Sequence, residues 1–419
     1  MAHPVAPLIR DRSIRSVWAG LSGSYSGDEL YRIGLVWIAI ELAGASAAWV
    51  PAAQNATVML ISLTVAGFAD RFSPKTIMVG SSICRAVIVL VPVILYFTMG
   101  LTLASLIGVA VALAIFRAIF DPVLFASVPR LAEAPERIQT LTGLFDTMAR
   151  LARLVGPLLA SLLSLVLPTI HILSVNALAY LGAAFAFSRV DDRLKEPPAP
   201  FRPIGAAQTR ILDRLLRGFR IVQRTPDIRF VLCSNAAVLI GWVLGISLGV
   251  PMLVAQHLPA EGTFTGLVAV GMVLGTYGLG DLFASVIVTS LKVRIRPRRM
   301  FIGYLASGLG IAAISAGVLS GEPLISIGLM MAAAFCSALG GPFFFVPMMT
   351  LLQTRLTGAD LTSVLRFRLA LISAALMTGA AVGTWTFAAN GAALTILVVG
   401  LGNAAVGLYG MLRCPETPA

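Results

Sequence analysis

The sequence predicts an all-α, polytopic membrane protein with twelve transmembrane helices arranged as two pseudo-symmetric bundles of six. Three observations carry that expectation. Hydrophobic residues make up 58% of the 419 positions and charged residues only 12%, with a mean hydropathy of +0.91. A soluble domain of that composition would not stay in water. The apolar runs reach the roughly 20 residues a bilayer crossing needs. Lys and Arg fall in every second connection between those runs, which is the pattern of a chain crossing repeatedly with its positive loops inside.

In chain order, apolar runs fall at 16–41, 50–69, 76–98, 101–126, 138–166, 169–189, 228–254, 264–290, 300–319, 323–351, 362–388 and 391–412. Arg10, Arg12 and Arg15 precede the first, Arg71 and Lys75 follow the second, and Arg130 and Arg137 follow the fourth. Arg189 to Arg229 follow the sixth, Lys292 to Arg299 the eighth, Arg355 the tenth, and Arg413 closes the last. The intervening connections carry no Lys or Arg. Both termini are therefore expected in the cytoplasm. The first run is too long and too acidic for a cleavable signal peptide and is expected to stay as an anchor. The net charge of +12 is spread over these loops, so topology explains it and nucleic acid binding does not.

The longest connection, Val190 to Asp227, opens with Asp191, Asp192, Lys195 and Pro197-Pro198-Ala199-Pro200, an extended linker. Ile211, Leu212, Leu215, Leu216, Phe219 and Val222 then recur at helical spacing opposite Arg210, Arg214, Arg217 and Arg220. This predicts an amphipathic helix on the anionic inner leaflet. The expected organisation is an N-terminal bundle over 1–189, a linker over 190–227 and a C-terminal bundle over 228–419.

The stretch with the most chemistry is Tyr25 to Leu35, where Asp28, Glu29 and Arg32 interrupt the first apolar run. Counted from Ser16 at 1.5 Å per residue, Asp28 lies about 18 Å along the helix, near the bilayer midplane. Charge there is costly. Asp28 and Arg32 are four apart and share a face, where each partly neutralises the other; Glu29 points away and needs its own partner. The trio must face a watery cavity or other helices. An acid beside an arginine in a low-dielectric cavity gains or loses a proton according to whether the arginine is near. Asp28, then Glu29, are the leading proton-coupling candidates, with a permanently satisfied ion pair as the alternative for each.

Arg117 and Asp121 repeat the four-residue pairing in the fourth span, with Arg117 about 20 Å from the outer end and so near the depth of Asp28. Asp121 and Asp281, the latter mid-span in the eighth run, are further proton-coupling candidates. Arg32 and Arg117 are substrate-binding candidates, joined in the second half by Asn235, Trp242, Phe344 and Met348, since aromatic and methionine walls suit ligands of variable shape. Such residues more often face lipid or core, so at most a subset of them touches substrate. Arg150, Arg153, Arg366 and Arg368 line an inner entrance or snorkel to lipid phosphate. Cys84, Cys233 and Cys336 read as small apolar packing residues. Three histidines and four cysteines show no metal spacing. No nucleophile–base pair points to an enzyme, and no Walker-type loop points to ATP or another cofactor.

Ala66-Gly67-Phe68-Ala69-Asp70-Arg71-Phe72-Ser73-Pro74-Lys75 resembles the loop motif of the major facilitator superfamily, Gly-x-Leu-Ala-Asp-Arg-x-Gly-Arg-Lys. Ala66 and Ser73 replace its glycines and Pro74 an arginine, while Ala69-Asp70-Arg71 is kept. The resemblance implies a gating role for Asp70 and Arg71, the acid latching onto the amides of a neighbouring helix end. In the fifth span Gly143, Ala152, Gly156-Pro157 and Ala160-Ser161 match the spacing of that superfamily's exporter motif, each departure still small. This implies that Gly156 and Pro157 set packing geometry between the two halves. Arg117 matches the arginine of the fourth-helix motif, with Phe120 and Asp121 replacing the Gln-Gly that follows. The superfamily's cavity-lining first, fourth, seventh and tenth helices would put Asp28, Arg32, Arg117 and Asp121 on facing walls.

Ser26-Gly27-Asp28, Gly44-Ala45-Ser46, Val128-Pro129-Arg130-Leu131, Gly218-Phe219-Arg220 and Pro226-Asp227-Ile228-Arg229 resemble the bacterial exporters that include enterobactin exporters and macrolide efflux proteins. The implied function is secondary active export of a small molecule by alternating access and proton antiport, by a monomer in the lipid bilayer. The favoured cargo is a siderophore or similar anionic metabolite, and the alternative is antibiotic efflux. A sensor or assembly partner that kept the fold without transport is the competing class.

Overall fold

The computed structural model describes residues 11–64, 72–132, 135–191, 194–195, 211–258, 266–290, 297–356 and 358–414. They are almost entirely helical, with no strand among them. The helices are α1 (Arg12–Ala43), α2 (Trp49–Thr64), α3 (Pro74–Thr98), α4 (Leu103–Ala132), α5 (Pro135–Ser164) and α6 (His171–Ser188). After them come α7 (Ile211–Arg224), α8 (Pro226–Trp242), α9 (Gly249–His257), α10 (Leu267–Ser290), α11 (Pro297–Ile314), α12 (Pro323–Arg355) and α13 (Gly358–Arg413).

Among the described residues, nine stretches are long and apolar enough to cross a membrane. Two of them, Arg12–Ile61 and Ser363–Arg413, hold 50 and 51 residues, enough for two crossings each. The second of these breaks at Gly391, whose φ of 71° and ψ of 174° leave the helix. Only glycine takes that φ without strain, and Gln256 Oε1 accepts the Ala392 amide at 2.8 Å to restart the coil. α5 occupies the fifth expected run without reaching that apolarity, with Arg150 and Arg153 inside it. The described helices fall where the apolar runs were expected.

Local chemistry explains the helix ends. Asp11 caps α1 by accepting the amides of Ser13 and Ile14 at 2.8 and 3.1 Å. The helix thus starts four residues before Ser16, runs 32 residues, and has Asp28 at its middle. Ser73 caps α3 through the Thr76 amide with Pro74 at the first turn. This Ser-Pro pair is where the loop departs from the glycine and arginine of the superfamily motif, and it makes a helix start. Asp70 and Arg71 themselves lie outside the described residues. Val243–Ser247 forms a π turn that joins α8 to α9 within one crossing.

The helices carry apolar stripes outward. Ile83, Val87 and Ile94 on α3, Leu178, Leu181 and Phe185 on α6, and Leu394, Leu401 and Leu408 on α13 are exposed at helical spacing. Hydrocarbon, rather than water, suits such faces. Cys233 and Cys336 belong to exposed faces too, against the packing role expected of them.

Contacts divide the chain into two compact units, Met1–Ile38 with Thr57–Ala207, and Ala39–Ala56 with Gln208–Ala419. In the first, α3 packs on α4 and α6, and a core forms around Leu21, Phe120, Phe145 and Phe187. In the second, α11 packs on α12 and α13, and α10 on α12. Its core holds Phe301, Tyr304, Phe344, Met348 and Leu352. α7 belongs to this unit. Val222 is buried in its core, the Phe219 ring lies 5.7 Å from Phe367, Gly218 meets the Ser363 backbone, and Arg217 pairs with Asp360 at 2.7 Å. The amphipathic helix is thus docked on the start of α13 by the face that holds Gly218 and Val222.

Small residues set these crossings. A Cβ on Gly340 would overlap the carbonyl oxygen of Gly303, whereas Gly328 on the same helix meets nothing within 4 Å. Gly340→Ala is therefore expected to cost about 1–3 kcal/mol by overpacking α12 against α11, with Gly328→Ala neutral. Thermal unfolding of the two detergent-purified variants checks this; equal midpoints would contradict it.

Candidate functional site

The ionisable residues of the first unit converge on the middle of α1, and their pairing departs from the expectation. Arg32 turns to Glu29, three residues back, with Nη2 2.6 Å and Nε 2.9 Å from Glu29 Oε2. Asp28 instead takes Arg85 of α3, Nη1 to Oδ1 at 3.4 Å, and the hydroxyl of Tyr180 of α6, which donates to the same oxygen at 2.6 Å. The reason lies in burial. Arg85 is 1% exposed and has few partners within reach, whereas Arg32 keeps a third of its surface and reaches Glu29 on its own helix.

Neither Arg85 nor Tyr180 stood among the sequence candidates, though the signal for one was present. Arg85 is the sole Asp, Glu, Lys or Arg between Thr76 and Thr98, a charge inside a span. Its Nη2 donates to Ser24 Oγ at 3.1 Å, and its Cζ sits 4.7 Å from the ring centroids of both Phe120 and Tyr180. The guanidinium is held between two aromatic faces. Its Nε, the Tyr31 hydroxyl and the Asn176 amide are buried without hydrogen-bond partners.

On α4, Arg117 and Asp121 pair at 3.6 Å with side chains 47% and 39% exposed, the loosest and most open pair of the group. Arg117 feels the carboxylates of Asp28, Asp121 and Glu29, and Tyr25 feels Asp121, Asp28, Arg117 and Arg85. These groups therefore form one electrostatic neighbourhood on α1, α3, α4 and α6. Three acids and three arginines balance within it.

α5 enters through Gly156, whose position brings it against Glu29: a Cβ there would overlap Glu29 Cβ. Pro157 beside it is buried. The structure thus places Gly156 against α1 within the first unit. Gly143, the first residue of that motif, faces open space.

In the second unit the expected substrate wall is largely core. Phe344 and Met348 have no exposed surface; Phe344 stacks on Tyr304 at 3.7 Å, and Asn235 donates to the Tyr304 hydroxyl at 2.7 Å. Trp242 donates through Nε1 to Tyr277 at 2.9 Å, just before the π turn. Asp281 is half-buried on α10, its Oδ1 3.8 Å from where a Cβ of Gly341 would stand. Arg368 lies 5.3 Å from the Phe345 ring centroid. The structure gathers Asp28, Glu29, Arg32, Arg117 and Asp121 in one unit, and holds Asn235, Trp242, Phe344, Met348 and Asp281 in the other.

The described residues are membrane-length apolar helices packed around a cluster of intramembrane charge. Residues 17–275 match the model of the Major Facilitator Superfamily, and the chain belongs to that family of transporters. No curated protein matches it. Among solved structures it is similar to the peptide transporter POT in complex with sulfate, at a TM-score of 0.74 and 13% identity over 96% of this chain and 94% of that one. The nucleoside transporter NupG gives 0.72 and 12% over 96% and 98%. A bacterial homologue of the iron transporter ferroportin in its inward-facing state gives 0.65 and 14% over 96% and 99%. At these identities the likeness is one of fold.

Because a Cβ at position 156 displaces Glu29, Gly156→Ala should break the Glu29–Arg32 geometry and cost about 1–3 kcal/mol of stability. Gly143→Ala should do neither. Thermal unfolding alongside complementation of a deletion strain measures both effects; a fully active, fully stable Gly156→Ala would refute the close approach.

Proposed function

We propose that the protein exports a small molecule from a bacterial cytoplasm by alternating access, driven by proton antiport, and that its cargo is a siderophore or a similar anionic, hydroxyl-bearing metabolite. The observation that carries this reading is the balanced charge cluster of the first unit with Arg32 and Arg117 partly exposed. Carboxylate or other anionic groups of a cargo match guanidinium donors. Hydroxyl donors of the same cargo match Asp28 and Asp121 and compete there with protons. The resemblance of the fifth-span motif to exporters supports the direction. Asp70 and Arg71 with Gly156 and Pro157 serve as gating elements, and Glu29 and Asp281 as secondary proton sites. The working unit is a monomer in the cytoplasmic membrane with both termini inside.

The test is proton release from purified protein in liposomes, scanning a panel of siderophores and antibiotics against wild type and Asp28→Asn. A siderophore is expected to release protons from wild type and none from the variant. Release triggered only by antibiotics would replace the cargo assignment with drug efflux. Binding without any proton signal in either protein would overturn the antiport itself.

A further inference from the structure

Asp28 is gripped from two other helices, and the grip is stiff. Tyr180 donates its hydroxyl to Oδ1 at 2.6 Å and Arg85 stands 3.4 Å from the same atom. Arg85 cannot swing away, because Phe120 and Tyr180 sandwich its guanidinium at 4.7 Å and Ser24 holds Nη2. Tyr180 is fully buried and Asp28 itself is 13% exposed. Both donors converge on this one carboxylate oxygen, the phenol through a hydrogen bond and the arginine through charge.

The other charged and titratable groups facing Asp28 are already engaged or lack a bond to it. From α1 these are Glu29 with Arg32, Tyr25 and Tyr31; from α4, Arg117 with Asp121. α5 contributes Gly156 at this level. Arg32 bonds to Glu29 and Arg117 to Asp121; Arg117 also acts on Asp28 electrostatically without bonding to it, whereas Arg85 bonds to it directly.

We propose that Arg85 and Tyr180 are positioning residues that set the proton affinity of Asp28, so that the proton-coupling element is this three-helix clamp rather than the charged trio of α1. The proposal rests on the antiport reading above, which makes Asp28 a proton site. Tyr180→Phe is a clean test: it removes one hydroxyl and leaves the ring against Arg85. Tyr31→Phe is the matched control, removing a buried hydroxyl that has no hydrogen-bond partner.

The measurement is an infrared titration of the purified full-length protein in liposomes, with protons as the only ligand. It follows the protonated-carboxyl stretch that Asp28→Asn abolishes. Tyr180→Phe is expected to move the midpoint of that band up by about one to two pH units, the worth of one hydrogen bond to a charged group, while Tyr31→Phe leaves it in place. If Tyr180→Phe does not yield monodisperse protein, Arg85→Lys takes its place and is likewise expected to raise the midpoint. Equal midpoints for Tyr180→Phe and Tyr31→Phe would overturn the clamp and leave antiport standing. A band that titrates and shifts, in a protein that shows no cargo-driven proton release, would keep the clamp and remove antiport. Absence of any band sensitive to Asp28→Asn would remove both.

Discussion

A guanidinium with 1% exposure in the middle of an apolar helix is the constraint from which the first unit follows. Arg85 must find its counter-charge and its donors' partners inside the protein, because lipid supplies neither. It draws Asp28 away from Arg32, and Arg32 then closes on Glu29. Glu29 can lie where it does because Gly156 leaves room for its Cβ, and Gly27 lets α6 approach until Asn176 touches α1 and Tyr180 reaches Asp28. One buried charge thereby fixes contacts on α1, α3, α5 and α6.

Magnitudes separate the pairs by role. Breaking a buried pair such as Arg85–Asp28 costs about 3–5 kcal/mol because the remaining charge is stranded. The Arg117–Asp121 pair is longer, at 3.6 Å, and keeps 47% and 39% of its side-chain surface accessible. It is the more open of the two to a ligand. The two pairs lie in one electrostatic neighbourhood, so a rearrangement at the open pair is felt at the closed one. The second unit has no comparable cluster among its described residues. Its centre is aromatic, with Tyr304 stacked on Phe344 and tied to Asn235.

The sequence made the fold legible because crossing a bilayer leaves few choices: length, apolarity and the alternation of Arg and Lys mark each helix. The break at Gly391 was legible for the same local reason, whereas Ser73-Pro74 read only as a departure from the loop motif and its capping role came from the structure. Partners across helices were not. Spacing of three or four residues says that Asp28, Glu29 and Arg32 share parts of a face, but the choice among them was made by Arg85, 57 positions away. Phe344 and Met348 show the converse failure. Their composition suits a binding wall and a core equally, and only packing against Tyr304 decides for the core. The docking of α7 on α13 was hidden too, since an amphipathic pattern looks the same whether its apolar face meets lipid or protein.

Charge balance also constrains what can be carried. With three acids and three arginines, the cluster is neutral when every acid is ionised. A purely anionic cargo would leave it negative in a low dielectric and would favour uptake of a proton along with the cargo. A cargo that brings donors to Asp28 or Asp121, as well as an anionic group to Arg117, relieves that penalty, and it releases a proton where the acid it meets was protonated beforehand. Under the antiport proposed above, a cargo of mixed character therefore fits the cluster better than a simple carboxylate. The sign of the proton signal reports the chemistry of the cargo as well as the direction of coupling.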